Sequence, residues 1–222
     1  MCGRFVLTAD TDTIQLAFDL TTMPDQHAPR FNIAPSQPIA VITNENSKVL
    51  TFHKWGLLPS WAKDPKMGNK MINARAETAA EKPAFRAAFK RRRCLIPADG
   101  FFEWQKRAGG KVPMFIHMKD YSPFAFAGLW EIWYSPEGDE LRTATILTTE
   151  PNDLMAEIHN RMPVILERKD YAQWLSPDDQ KASDLMPLLK PFDSSNMGAY
   201  AVSTYVNSPA NDSPEAIEPV AS

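Results

Sequence analysis

The sequence predicts an α+β fold: a single domain with a mostly antiparallel, barrel-like β core and a few peripheral helices. Strand-forming runs outnumber helical ones. They are short and mostly joined by turns, unlike the regular strand–helix alternation of a parallel sheet. The length of 222 residues suits one sizeable core, and 19 prolines against 9 glycines indicate ordered loops rather than flexible linkers. No linker divides positions 1–207, which form the expected domain, with 208–222 as a tail.

Along the chain, residues 8–18 place Thr and Asp in capping positions before Ile14, Ala17 and Phe18 at helical spacing. Strands follow at PIAVIT (38–43) and KVLTFHKW (48–55). In EKPAFRAAFKRRR (81–93), Pro83 stands near a helix start, Phe85 and Phe89 are four apart, and the basic end suits the helix dipole. Strands are expected at 93–105, 113–119, 124–134 and 142–149, and again at 162–167 and 199–206. Two helices lie between: 150–160, with Leu154 and Ile158 on one face, and 176–189, shortened or bent by Pro187. The Pro-, Ser- and acid-rich end from 207 on is expected to be poorly ordered.

Composition narrows the function classes. No apolar run approaches the roughly 18 residues of a membrane span, and the start lacks a signal-peptide pattern. A cytoplasmic location follows as the expectation, with Cys2 and Cys94 as thiols. A formal net charge of −3 argues against binding nucleic acid by bulk charge and leaves a local basic groove open. The run Lys90–Arg93 is either part of such a groove or a solvated helix end. Four histidines and two cysteines without C-x-x-C or H-E-x-x-H give no metal site, and no phosphate-binding glycine loop occurs. No cofactor or metal is expected.

What remains is Cys2 and a few polar–aromatic stretches. Removal of Met1 would leave an amine and a thiol on adjacent carbons, with reference pKa values of about 8 and 8.5. Such an aminothiol can act as a nucleophile with its own amine as base. It can also condense with an aldehyde to close a thiazolidine. Chance placement of a small residue is the bland alternative. Glu103 lies between Phe102 and Trp104, and apolar surroundings raise a carboxyl toward acid–base use near neutral pH. His159 ends a predicted helix and is either a cap or a proton carrier. Asn73 and Arg75 alternate along an extended segment and so share a side.

MCGRF, FNIAPSQ, WGLLPSWA, INARAET, PADGFFEW and IHNRMPVIL follow one another in this order. In that series the chain resembles the SOS response-associated peptidase (SRAP) family over residues 2 to about 207. The resemblance implies an abasic-site processing protein of the DNA-damage response. It implies a covalent crosslink to abasic sites in single-stranded DNA, a thiazolidine between the exposed Cys2 and the ring-opened sugar, which shields the strand from cleavage. It carries Cys2 over as nucleophile, Asn73 as sugar-placing group, and Glu103 and His159 as assistants in ring opening, imine formation and reversal. Arg4, Arg75 and Arg161 become phosphate contacts, and Asn32, Trp55 and Trp61 further DNA-binding positions. The family's peptidase label implies autoprocessing that exposes Cys2, with lyase-type chemistry at the sugar. In a bacterium the protein would associate with the nucleoid.

Two other classes compete. An N-terminal-nucleophile hydrolase such as a glutamine amidotransferase also begins Met-Cys-Gly, but has less use for three arginines. A non-catalytic single-strand binding module would retain Met1 and bind reversibly.

Overall fold

The structure is a computed structural model that describes residues 2–25 and 27–220. Met1, whose removal is expected, lies outside the described residues. In chain order the strands are β1 (Phe5–Leu7), β2 (Arg30–Ile33), β3 (Pro38–Thr43), β4 (Leu50–Trp55), β5 (Asn73–Arg75), β6 (Arg93–Ala98), β7 (Gly100–Arg107), β8 (Gly110–Met118), β9 (Phe124–Tyr134), β10 (Glu140–Thr149), β11 (Met162–Pro163), β12 (Ile165–Leu166) and β13 (Met197–Ala201). The α-helices are α1 (Thr11–Phe18), α2 (Ala76–Ala79), α3 (Arg86–Arg91), α4 (Asp153–Ala156), α5 (Tyr171–Trp174) and α6 (Ala182–Leu185).

The β-branched and aromatic runs build the centre. Strands β10, β4, β3, β6 and β9 pair in that order, and β9 pairs back onto β10, closing a five-stranded barrel. Closure depends on one parallel contact, Thr143 with Lys54 and Ala144 with Trp55. The other ladders of the ring are antiparallel. Strand β5 adds to β10 in parallel, and β11 and β12 are short additions. A second, antiparallel sheet runs β13-β8-β7-β1-β2. Aromatic rings join the two layers: Phe5 meets Trp55 edge-on at 5.2 Å and Phe126 at 5.8 Å. Each fully buried ring contributes about 2–3 kcal/mol.

The run expected as one strand over 93–105 is two. It breaks at Asp99, whose Oδ2 accepts from the Thr8 and Ala9 backbone N–H groups and the Thr8 hydroxyl. Strand β6 therefore stays in the barrel while β7 crosses to the second sheet. The expected helices are shorter than their patterns. Helix α1 starts where Asp10 caps the Thr13 N–H at 2.8 Å. Helix α4 is a single turn capped by Asn152, and α6 gives way to a 3-10 turn at Pro187. The last strand ends at Ala201, followed by a 3-10 turn over Thr204–Asn207.

The tail is not loose. Residues 208–220 pack along the second sheet. Asp212 accepts from the Arg30 side chain and from the N–H groups of Phe31 and Asn32. Ala216 is buried, Tyr200 donates to the Ile217 carbonyl at 2.8 Å, and Val202 bridges to Pro219. Composition suggested disorder because few apolar groups are present. The carbonyls and one carboxylate do the anchoring instead.

The basic run is absorbed by structure. Lys90 and Arg91 pair with Asp179 at 3.0 and 3.3 Å, and Arg92 pairs with the buried Glu131 at 2.6 Å. Arg93 is fully buried and donates to the carbonyls of Phe89, Lys90, Trp174, Ser176 and Asp178. It closes the end of α3 and ties down the loop after α5.

Candidate active site

Strand register brings the amino terminus to Glu103. Phe5 stands opposite Phe101 on β7, and Phe102 N–H donates to the Arg4 carbonyl at 2.9 Å. Extending that antiparallel register backward lays Cys2–Arg4 alongside Phe102–Trp104. From the barrel side, β5 pairs Asn73 with Ile146 and Arg75 with Thr148. The Asn73 amide donates to the Cys2 carbonyl at 2.8 Å. Asn73 Oδ1, itself buried, has no hydrogen-bond partner among the described residues. The amide thus holds the chain at Cys2 and leaves an acceptor over.

Cys2 is fully buried. Burial pushes its thiol well above the ordinary range, and the charge of nearby Glu103 adds to the shift. Sγ lies 3.9 Å from the Arg4 carbonyl. At neutral pH the sulfur therefore keeps its proton until a base takes it. Glu103 is 4 % exposed and lines a cavity of about 600 Å³ with Trp104, Lys106, Lys111, Glu157, His159 and Asn160. His159 Nδ1 stands 3.0 Å from the Arg161 backbone N–H. The Arg161 carbonyl oxygen stands 3.2 Å from the same Nδ1. Cys2, Asn73, Glu103 and His159 thus fall in one neighbourhood, linked by a hydrogen bond, a charge and a shared cavity.

The six expected DNA contacts divide. Trp61 is 56 % exposed and lines a second cleft of about 620 Å³ with Met71, Asn73, Arg75, Thr78 and Lys82. Arg75 is exposed and makes no ion pair among the described residues. Arg161 is committed: its guanidinium grips both oxygens of Glu77, at 2.5 and 2.9 Å, and the Thr148 carbonyl at 2.6 Å. That contact holds the Glu77 carboxyl below the ordinary range. Arg4 is half-buried, bonded to Asn32 Oδ1 and the Val206 carbonyl at 2.8 Å each, and 5.9 Å from the Trp104 ring.

Two positions are corrected. Trp55 is fully buried, edge-on to Phe5, with its indole N–H on the Ile72 carbonyl. It is core and offers no face to a base. Asn32 is fully buried; its amide donates to Val206, Ser208 and Asn211 carbonyls. It anchors the tail and steadies Arg4. The motif WGLLPSWA thus splits its two tryptophans between core and surface. Gly56 makes the bend: its φ is +127°, and a Cβ there would lie 2.5 Å from the Gly68 carbonyl oxygen.

Sequence reasoning passed over Trp104, which lines the cavity, faces Arg4 and donates to Asn207 Oδ1 at 2.8 Å. Its place next to Glu103 was the available signal. It also passed over Glu77, whose partner lies 84 residues away. Among the described residues no cluster of His, Cys, Asp and Glu could hold a metal ion, and no helix is long and apolar enough to cross a membrane.

Residues 1–209 match the family model described as SOS response associated peptidase (SRAP). The chain is 50% identical to the abasic site processing protein YoqW of Bacillus subtilis, over 98% of this chain and 99% of that one. It is 35% identical to the abasic site processing protein HMCES of Gallus gallus, over 80% of this chain and 59% of that one. The crystal structure of a protein from Bacteroides thetaiotaomicron superposes with a TM-score of 0.85 at 29% identity, covering 99% of this chain and all (100%) of that one.

Proposed function

Because the chain belongs to the SOS response associated peptidase family, we propose that it processes abasic sites in single-stranded DNA through a covalent bond to Cys2. Removal of Met1, the step to which the family's peptidase label corresponds, frees the Cys2 amine. That amine attacks the aldehyde carbon of the ring-opened sugar, and loss of one water gives an imine. The sulfur then adds to the imine carbon, and its proton ends on the nitrogen. A thiazolidine results, with one water released overall. An imine alone invites β-elimination and strand breakage; ring closure removes it.

The Asn73–Cys2 contact carries this reading. It holds the reacting residue at the cleft and leaves Asn73 Oδ1 to accept from a sugar hydroxyl. The raised thiol gives Glu103 a task, since a protonated sulfur needs a base at the closing step. His159, on the same cavity wall as Glu103, donates to the leaving water and takes a proton back on reversal. Trp61 and Arg75 receive the flanking bases and phosphates of a single strand, which fits a modestly charged protein. Arg4 supports Trp104 at the cavity wall, and Arg161 reaches phosphate only by leaving Glu77. Such a protein works in the cytoplasm, at the nucleoid in a bacterium.

The test is an SDS-resistant adduct between purified protein and a uracil-containing single strand treated with uracil glycosylase. Wild type should form it and Cys2→Ala should form none. A normal adduct yield from Cys2→Ala would overturn the assignment.

A further inference from the structure

The hairpin of β7 and β8 holds an unexplained charge arrangement. Lys106 and Lys111 stand directly opposite each other across the two strands. Both are exposed, and neither makes an ion pair among the described residues. Like charges at directly opposed positions, with Cβ atoms about 5 Å apart, destabilise a sheet. The turn beyond them is open: a Cβ at Gly109 or Gly110 would meet nothing within 4 Å. Nothing in the hairpin's packing calls for two ammonium groups there.

Both lysines line the same cavity as Glu103 and His159. Glu157 on that cavity's wall forms no ion pair with either, and its carbonyl is taken by Gln105 at 2.9 Å. The cavity thus runs from Glu103 to two lysines that form no ion pair among the described residues. The other cleft, reached through Asn73, carries Trp61 and Arg75. A strand held by its sugar at Cys2 must leave in two directions, and the molecule offers a cationic exit in each.

We propose that Lys106 and Lys111 form a phosphate subsite for the DNA strand where it leaves Cys2 on the Glu103–His159 side. The occupant is a phosphodiester of the damaged strand itself. Its negative charge relieves the repulsion between the two ammonium groups, and its position sets which flank of the abasic sugar lies over the catalytic carboxylate. This assignment rests on the DNA reading above.

The test uses the double variant Lys106→Gln/Lys111→Gln, which removes the like-charge repulsion and so keeps or slightly raises the melting temperature. Binding to an intact single strand is measured against salt. Each lost phosphate contact should flatten the log–log slope by about 0.7, so the pair should flatten it by about 1.4. Crosslinking is then followed on two short oligonucleotides, one with the abasic residue at its 5′ end and one at its 3′ end. The double variant should slow only one of them, by about tenfold at low salt. An unchanged salt slope, or equal effects on both oligonucleotides, overturns the subsite while wild-type crosslinking upholds the DNA reading. Failure of the wild type to crosslink any abasic strand overturns that reading, and the subsite with it.

Discussion

Asn44, just past β3, and Asn73, at the head of β5, carry the same amide and use it differently. Asn44 donates to the Arg91 and Ser176 carbonyls and accepts from the Arg93 N–H and the Trp130 indole. Asn73 donates to Cys2 and accepts from nothing among the described residues. Asn32 belongs with Asn44: three carbonyls take its donors, and Arg4 takes its oxygen. A buried amide used on both sides specifies the fold. One left with a spare acceptor beside Cys2 is open to a ligand's donor.

The largest expected effect tests the saturated group. A chain ending at Asn207 strips Asn32 of the Ser208 and Asn211 carbonyls and leaves Arg30 without Asp212. Stability should fall by about 5 kcal/mol in a denaturant titration, from lost hydrogen bonds and lost packing of Ala216. An unchanged midpoint would mean that the tail's bonds are incidental.

His53 sharpens the comparison because it breaks the pattern. It is buried against Trp130, and its Nδ1 has no hydrogen-bond partner among the described residues. Burial lowers its pKa to about 4, with the Arg142 charge adding to the shift. The unfolded chain binds this proton near pH 6.5 and the folded chain only near pH 4. Stability is therefore intact above about 6.5 and is lost as pH falls through that window, by about 3 kcal/mol in all. His53→Phe should flatten this part of the pH–stability curve. If the slope persists in the variant, another group owns it.

The paired amides give the smallest and most discriminating contrast. Asn73→Ala should slow crosslinking about 100-fold, through lost placement of the reacting atoms, with little change in melting temperature. Asn44→Ala should cost about 2 kcal/mol of stability, because it leaves buried donors unpaired, with the crosslinking rate intact. Exchange of these two outcomes would refute the distinction drawn from their hydrogen bonds.

The barrel strands were legible because β3, β9 and β10 are rich in β-branched or aromatic residues and β6 is a continuous buried run. The pairing that closes the expected barrel was not, since it is a parallel contact between Lys54–Trp55 and Thr143–Ala144, far apart in sequence. Strands β1 and β5 span three residues each, too few to display a period of two. The candidate site was legible through its motifs, yet Asn32 and Trp55 share those motifs and proved to be scaffold. Polar–aromatic density marks demanding packing as readily as chemistry. Only contacts across the fold, such as Arg161 with Glu77, separate the two.

The depth at which Cys2 sits bears on oxidative damage. Peroxides attack thiolates that solvent can reach, and the products climb from sulfenic to irreversible sulfonic acid. Cys2 is neither a thiolate at neutral pH nor accessible. On the proposed reading, burial keeps the one sulfur on which the crosslink depends protonated and shielded until a strand docks.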